Sequence, residues 1–172
     1  MADNYLEKRM EDYARGRLGN HAAARTRRAG TAVLKYPPQG VLIIGAGNER
    51  SRAVVRRLVE AGNRVAFTAT DRAEGTSLAQ QCGGRFYPAE PAAVAQDLQK
   101  RGEGVDAVIV FGTDVPDVSL FAPRKVIVVA DEPADCREAV VIAGGSPEAV
   151  AMMILALVHP ALELPAQVVR LG

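Results

Sequence analysis

Gly45 and Gly47 are the residues whose type and spacing come nearest to a recognisable chemistry. They follow the apolar run VLII and precede a helical stretch, so they stand where a strand turns into a helix. A turn that holds a dinucleotide needs glycine there: one for the tight turn, one so that backbone approaches pyrophosphate, and one for close helix–strand packing. Read as G-x-G-x-x-G, the third position is Arg50. Two glycines also serve a bare strand–helix turn, so the motif alone leaves nucleotide binding and simple geometry both open. Other chemistries have less support. Cys82 and Cys136 lie far apart with no C-x-x-C, and only His21 and His159 add imidazoles, so no metal site is expected. Two unpaired thiols suit a reducing compartment, and both read as small core or loop residues. Asp114, Asp117 and Asp131 fall near strand ends where such folds bind ligands; they could line a pocket, and the preferred reading is loop carboxylates in water. His159, before Pro160, reads as a helix-end residue favoured by the dipole.

The elements that would position these residues alternate regularly. VLIIGAG (41–47), RVAFTATD (64–71), RFYPAE (85–90), VDAVIVFG (105–112) and RKVIVVAD (124–131) read as strands, and 49–62, 72–83 and 91–102 as helices. Asp71 reads first as the N-cap of the second helix, and Pro91 opens the third. EAVVIAGG is a short apolar stretch after a loop. Ser146, Pro147 and Glu148 start a helix over 146–158, and AQVVRLG closes the chain as an expected last strand. Apolar strands alternating with helices predict an α/β fold, a doubly wound parallel sheet of Rossmann-like type. Before it, residues 4–18 carry Tyr5, Leu6, Met10 and Tyr13 at helical spacing. A small, basic linker follows, with Arg25, Arg27 and Arg28 grouped and Pro37-Pro38 ending any helix. The expected division is an N-terminal helical arm with its basic linker over 1–37 and the Rossmann-like domain over 38–172.

Order of elements and local wording resemble the short-chain dehydrogenase/reductase family over about residues 39–112 and 146–172. VLIIGAGNERSR is similar to that family's first strand and its T-G-x-x-x-G-x-G turn, and AGNRVAFTATD, FYPAE and VDAVIVFG to its next three strands. SPEAVAMMILALVHPALELPAQVVRLG is similar to its last helix and final strand. On that turn Ile44 replaces the threonine, Gly45 matches the first glycine, Glu49 replaces the second and Ser51 the third. The resemblance implies cofactor contacts at Gly45, Gly47, Asn48, Ser51, Ala69, Asp71, Glu90 and Gly112. Ala69 stands where NAD-preferring members carry an acid, with Asp71 two residues on; Asn48 stands where NADP users often keep a base. Glu90 stands for an aspartate near adenine, and N-N-A-G reads Val110, Phe111, Gly112, Thr113. Glu49 would set a carboxylate against pyrophosphate: at about 4–6 Å in a partly buried site such repulsion is about 1–4 kcal/mol, weakening binding roughly ten-fold to a thousand-fold.

The resemblance also implies a catalytic tyrosine with a lysine four residues on, the lysine lowering the phenol pKa. Four residues after Tyr5, Tyr13, Tyr36 and Tyr87 come Arg9, Arg17, Gly40 and Pro91, so no catalytic residue is assigned. The segment between the fourth strand and the last helix is too short for the two long helices that carry this pair. Helix 146–158 is apolar all round and must be buried on every side. A domain this small covers one side only, so a homodimer through 146–172 is expected, as in the resembling family. A formal charge of +1 on 172 residues gives no reason to expect nucleic acid or an anionic membrane. The ten-residue apolar run Ala149 to Val158 cannot span a bilayer, and the N-terminus shows no signal core, so a cytoplasmic protein is expected. The reading is a shortened, non-catalytic short-chain dehydrogenase/reductase-like dimer acting as a scaffold or binding NAD(P) weakly, without metal. Its N-terminal helix would dock on its own body or on a protein partner. The alternatives are an NAD(P)-dependent oxidoreductase with a non-standard or partner-supplied proton donor, and a ligand sensor using the same cleft.

Overall fold

Valine and isoleucine dominate the strands because both faces of the sheet are covered. In the computed structural model, which describes residues 37–132, 138–162 and 165–172, the chain divides after Lys35, and the second unit, Tyr36–Gly172, carries the sheet. Its described residues form β1 (Gly40–Ile44), α1 (Glu49–Glu60), β2 (Arg64–Thr68), α2 (Arg72–Cys82), β3 (Arg85–Tyr87), α3 (Pro91–Lys100) and β4 (Ala107–Phe111). A 3-10 turn (Ser119–Phe121), β5 (Lys125–Ala130), β6 (Val140–Gly144), α4 (Pro147–Val158) and β7 (Gln167–Leu171) follow. The expected arm over residues 4–18, its linker and Cys136 lie outside the described residues.

All seven strands are parallel, in the order β3-β2-β1-β4-β5-β6-β7. The order reverses between β1 and β4, which makes their carboxyl ends a topological switch point, the place where open α/β sheets bind ligands. The doubly wound parallel sheet read from the sequence is therefore what the chain forms. EAVVIAGG, in sequence only a short apolar stretch, supplies β6, held between β5 and β7.

Alternate residues of each strand face opposite layers. Val41, Ile43, Phe67, Ile109, Ile127 and Ile142 meet Val54, Val55 and Leu58 of α1 and Val150, Ile154 and Leu157 of α4. Leu42, Val108, Val110, Val128 and Val141 face the other layer, with Val94 and Leu98 of α3, and Val115, Val118 and Phe121 from the β4–β5 connection pack against them. Between β4 and β5 the described residues show only the 3-10 turn.

The caps are those the sequence signalled. Asp71 Oδ1 accepts from the amides of Ala73 and Glu74 at 2.7 and 3.0 Å, and Ser146 Oγ accepts from the Ala149 amide at 3.3 Å. Such caps are worth about 1 kcal/mol each. Helix α4 packs along α1 and buries Val150, Ala151, Ile154, Leu157 and Val158. Its outer side stays in water within the single chain, with Met152 47% exposed.

Candidate functional site

The carboxyl ends of β1 and β2 place the glycine turn. Gly45 has φ +80°, and a Cβ there would stand 2.9 Å from the Phe111 carbonyl oxygen. The fold itself thus requires glycine at this position. Gly47 differs: its φ is ordinary, and a Cβ would come no nearer than 3.4 Å to the Glu74 carboxylate. Packing and dihedrals leave its glycine without a fold-based reason.

Asn48 and Ser51 close the turn on itself. Ser51 is fully buried, and its Oγ accepts from the amides of Gly47 at 2.9 Å and Asn48 at 3.1 Å. The same hydroxyl donates to the Asn48 carbonyl at 2.8 Å. Asn48 Oδ1 in turn accepts from the Ser51 amide at 2.8 Å, completing a reciprocal cap on α1. Ala46 N–H goes to the Thr68 carbonyl at 2.8 Å, and Gly45 N–H reaches the Thr68 hydroxyl at 3.4 Å. Amide groups that a phosphate-binding turn would present outward are therefore answered inside the protein. Sequence reasoning treats Ser51 as a replaced glycine and an implied cofactor contact, not as a cap; the signal for its role is the Asn-x-x-Ser spacing at the start of α1.

Glu49 is exposed at the first position of α1, where a carboxylate favours the helix dipole. Arg50, next along, turns the other way. Its Nε donates to the Gly145 carbonyl at 3.0 Å, and Nη1 meets Asp131 Oδ1 at 2.5 Å. Asp131, expected as a solvated loop carboxylate, is indeed 88% exposed in its side chain, yet it is paired. Exposed pairs of this kind contribute about 0–1 kcal/mol.

A cavity of about 740 Å³ opens at the ends of β1 to β4. It brings together three of the cofactor contacts implied by the resemblance, Gly45, Ala69 and Glu90, with Thr68, Arg72 and Asp114, the last an exposed loop carboxylate that nonetheless lines the cavity. Gly47, Asn48, Ser51, Asp71 and Gly112 do not line it. Asp71 caps α2, and Gly112, with φ +121°, turns the chain out of β4 while its amide bonds the Val129 carbonyl at 2.9 Å. Glu90 is the N-cap residue of α3 but makes no side-chain cap bond.

Proton chemistry finds no tyrosine–lysine pair among the described residues. Tyr87 gives its hydroxyl to Asp97 Oδ2 at 2.9 Å. The Arg101 guanidinium, then that hydroxyl, hold Asp97 below the usual carboxylate range. Lys125 donates to the Leu157 and His159 carbonyls at the end of α4, and Lys100 ends α3. Among the described residues no three His, Cys, Asp or Glu side chains group as metal ligands, and no helix is long and apolar enough to cross a membrane.

No protein-family model and no curated protein matches the chain. Solved structures do. The chain is similar to BdcA (YjgI) from E. coli, with 22% identity, 71% of this chain and 91% of that chain covered, and a TM-score of 0.54. It is similar to a short-chain dehydrogenase from Streptomyces avermitilis, with 12% identity, 81% and 89% covered, and a TM-score of 0.60. A metagenomic short-chain oxidoreductase in complex with NADP matches at 17% identity over 77% and 96%, with a TM-score of 0.54. Identities this low speak for the fold alone, and that fold is the one the sequence resemblance implied.

Proposed function

We propose that this chain, which has the fold of the short-chain dehydrogenases, is a non-catalytic member of that plan, a dimeric scaffold that binds NAD(P) weakly. One observation carries the reading: the Ser51 hydroxyl takes the amides of Gly47 and Asn48. A pyrophosphate seated on this turn would have to displace bonds that are already made to the buried Ser51 hydroxyl, beside the carboxylate of Glu49. Gly47 supports retained, weak nucleotide contact, because the fold gives no reason for a glycine there. The absence of any tyrosine followed at four residues by lysine supports the lack of turnover. For the dimer the support is apolar surface left in water on the last two elements, Met152 on α4 and Val168 on β7, each 47% exposed. The partner is a second copy, meeting through residues 146–172.

Thermal shift with NAD, NADH, NADP and NADPH tests the first half of this reading. A rise of less than about two degrees is expected at millimolar cofactor. A rise of many degrees with turnover to match would sink it. Light scattering on a sizing column tests the second half. A dimer is expected at micromolar concentration, and Met152→Glu with Val168→Glu should leave a folded monomer. A wild-type chain that is monomeric throughout removes the dimer.

A further inference from the structure

One side chain crosses the strand ends. Arg50 lies in the first turn of α1 and reaches the Gly145 carbonyl and Asp131. Asp131 follows β5 and Gly145 follows β6, so the guanidinium spans the strand ends on the far side of β4. On the near side lies the cavity of about 740 Å³, reaching from the ends of β1, β2 and β3 to the residues that follow β4. A dinucleotide in an open α/β sheet lies across the switch point, one nucleoside to each side of it. Here the near side is open and the far side is strapped.

We propose that the site takes a single aminopurine nucleoside monophosphate in preference to a dinucleotide, and that Arg50 is the residue that sets this preference. The inference rests on the reading that the cleft still binds nucleotide, and it narrows the ligand. The lining carries the chemistry such a ligand needs. Pro88, Pro116 and Phe86 offer apolar walls to a base. Glu90 and Asp114 present carboxylates that accept from an exocyclic amine and from ribose hydroxyls, and Glu90 is not engaged in capping its own helix. Among the described residues Arg72 is the only cation lining the cavity, and it is the group for the phosphate. A mononucleotide fills this half without touching the strap. A dinucleotide must break both Arg50 bonds before its second half can lie down.

Calorimetric titration of the full chain with 5′-AMP, 2′-AMP, NAD and NADP tests the proposal and separates the two positions the phosphate can occupy. One of the two mononucleotides should bind at least about threefold more tightly than either dinucleotide. Arg50→Ala should tighten dinucleotide binding by about tenfold and leave mononucleotide binding within about twofold. Asp131→Asn loosens the same strap from an exposed residue and should give about a threefold gain, so the outcome does not depend on α1 tolerating the loss of Arg50. Arg72→Ala should weaken the mononucleotide about tenfold. Tighter binding of a dinucleotide by the wild-type chain, or no gain from either strap variant, overturns the inference while leaving weak NAD(P) binding in place. If no nucleotide of either size binds any of these proteins, the inference and the nucleotide-binding part of the parent reading fall together, and the scaffold part remains.

Discussion

The two halves of the sheet differ in what their carboxyl ends are free to do. On the β1–β2–β3 side, each strand runs into a helix, the first two through side-chain-capped turns, and residues of these turns surround a cavity. On the β4–β5–β6 side, the described residues between β4 and β5 form only a 3-10 turn, and Arg50 ties the ends of β5 and β6 to α1. Both halves are equally well packed beneath: Phe67 on β2 and Ile142 on β6 are both fully buried in the same layer. The difference is therefore confined to the edge. A fold can keep its core and half its cleft while the other half becomes a closed structural rim, because stability rests on the layers and ligand binding on the loops.

The largest expected effects test whether the packing really is equal. Phe67→Ala should cost about 3–5 kcal/mol and Ile142→Ala about 2–5 kcal/mol, read by urea denaturation at fixed pH. If Ile142→Ala costs less than about 1 kcal/mol, the second half is not the rigid rim described, and the comparison fails at its base. Gly75→Ala should follow at about 1–3 kcal/mol. A Cβ on α2 at that point would collide with the Phe86 ring, so the ring must move or the helix must lift. Since Phe86 also lines the cavity, this variant should alter nucleotide binding along with stability.

Sequence and structure agree best where local signals and burial point the same way. The helices and six strands are legible because valine-rich runs, proline at helix starts and N-cap residues occur in register with one another. β6 is not, since a short apolar run between a loop and two glycines has no periodicity of its own; its neighbours in the sheet make it a strand. At the site, Gly45 can be read because a positive φ leaves one solution. Ser51 escapes a search for the glycine it replaces, because what it does is complete a cap. Arg50 is beyond reach altogether, since its partners Gly145 and Asp131 lie 95 and 81 residues away and meet it only through the sheet order.

Ser51→Ala sharpens the comparison at the glycine turn. It removes a buried hydroxyl and leaves the Gly47 and Asn48 amides without their acceptor, at a cost of about 1–3 kcal/mol by denaturation. Those same amides become available to an anion, so affinity for NAD should rise as stability falls. Pairing Glu49→Gly with Ser51→Gly should raise it further, by roughly ten-fold or more, since the charge leaves with the hydroxyl. A stability loss with no gain in affinity would mean that the closed turn is not what limits the cofactor.

The smallest effect lies at the outer edge of the open half, where Tyr87 on β3 is tied to Asp97 on α3. Arg101 and Tyr87 depress the Asp97 pKa in the folded chain. A depressed folded pKa means that the pair contributes stability above the unfolded carboxylate value of about 3.9, and that the contribution is lost as pH falls through the folded value. Asp97 is on the surface, so the contribution is small and salt-sensitive. Wild type should unfold at a higher temperature than Asp97→Asn at pH 7, and the two curves should converge as the pH is taken below about 3. Because the cavity walls Phe86, Pro88 and Glu90 flank Tyr87 in sequence, loosening this tie should weaken mononucleotide binding on the open side and leave the strap on the closed side untouched. If instead Asp97→Asn alters the response to Arg50→Ala, the two halves are coupled through the sheet and do not act as independent edges.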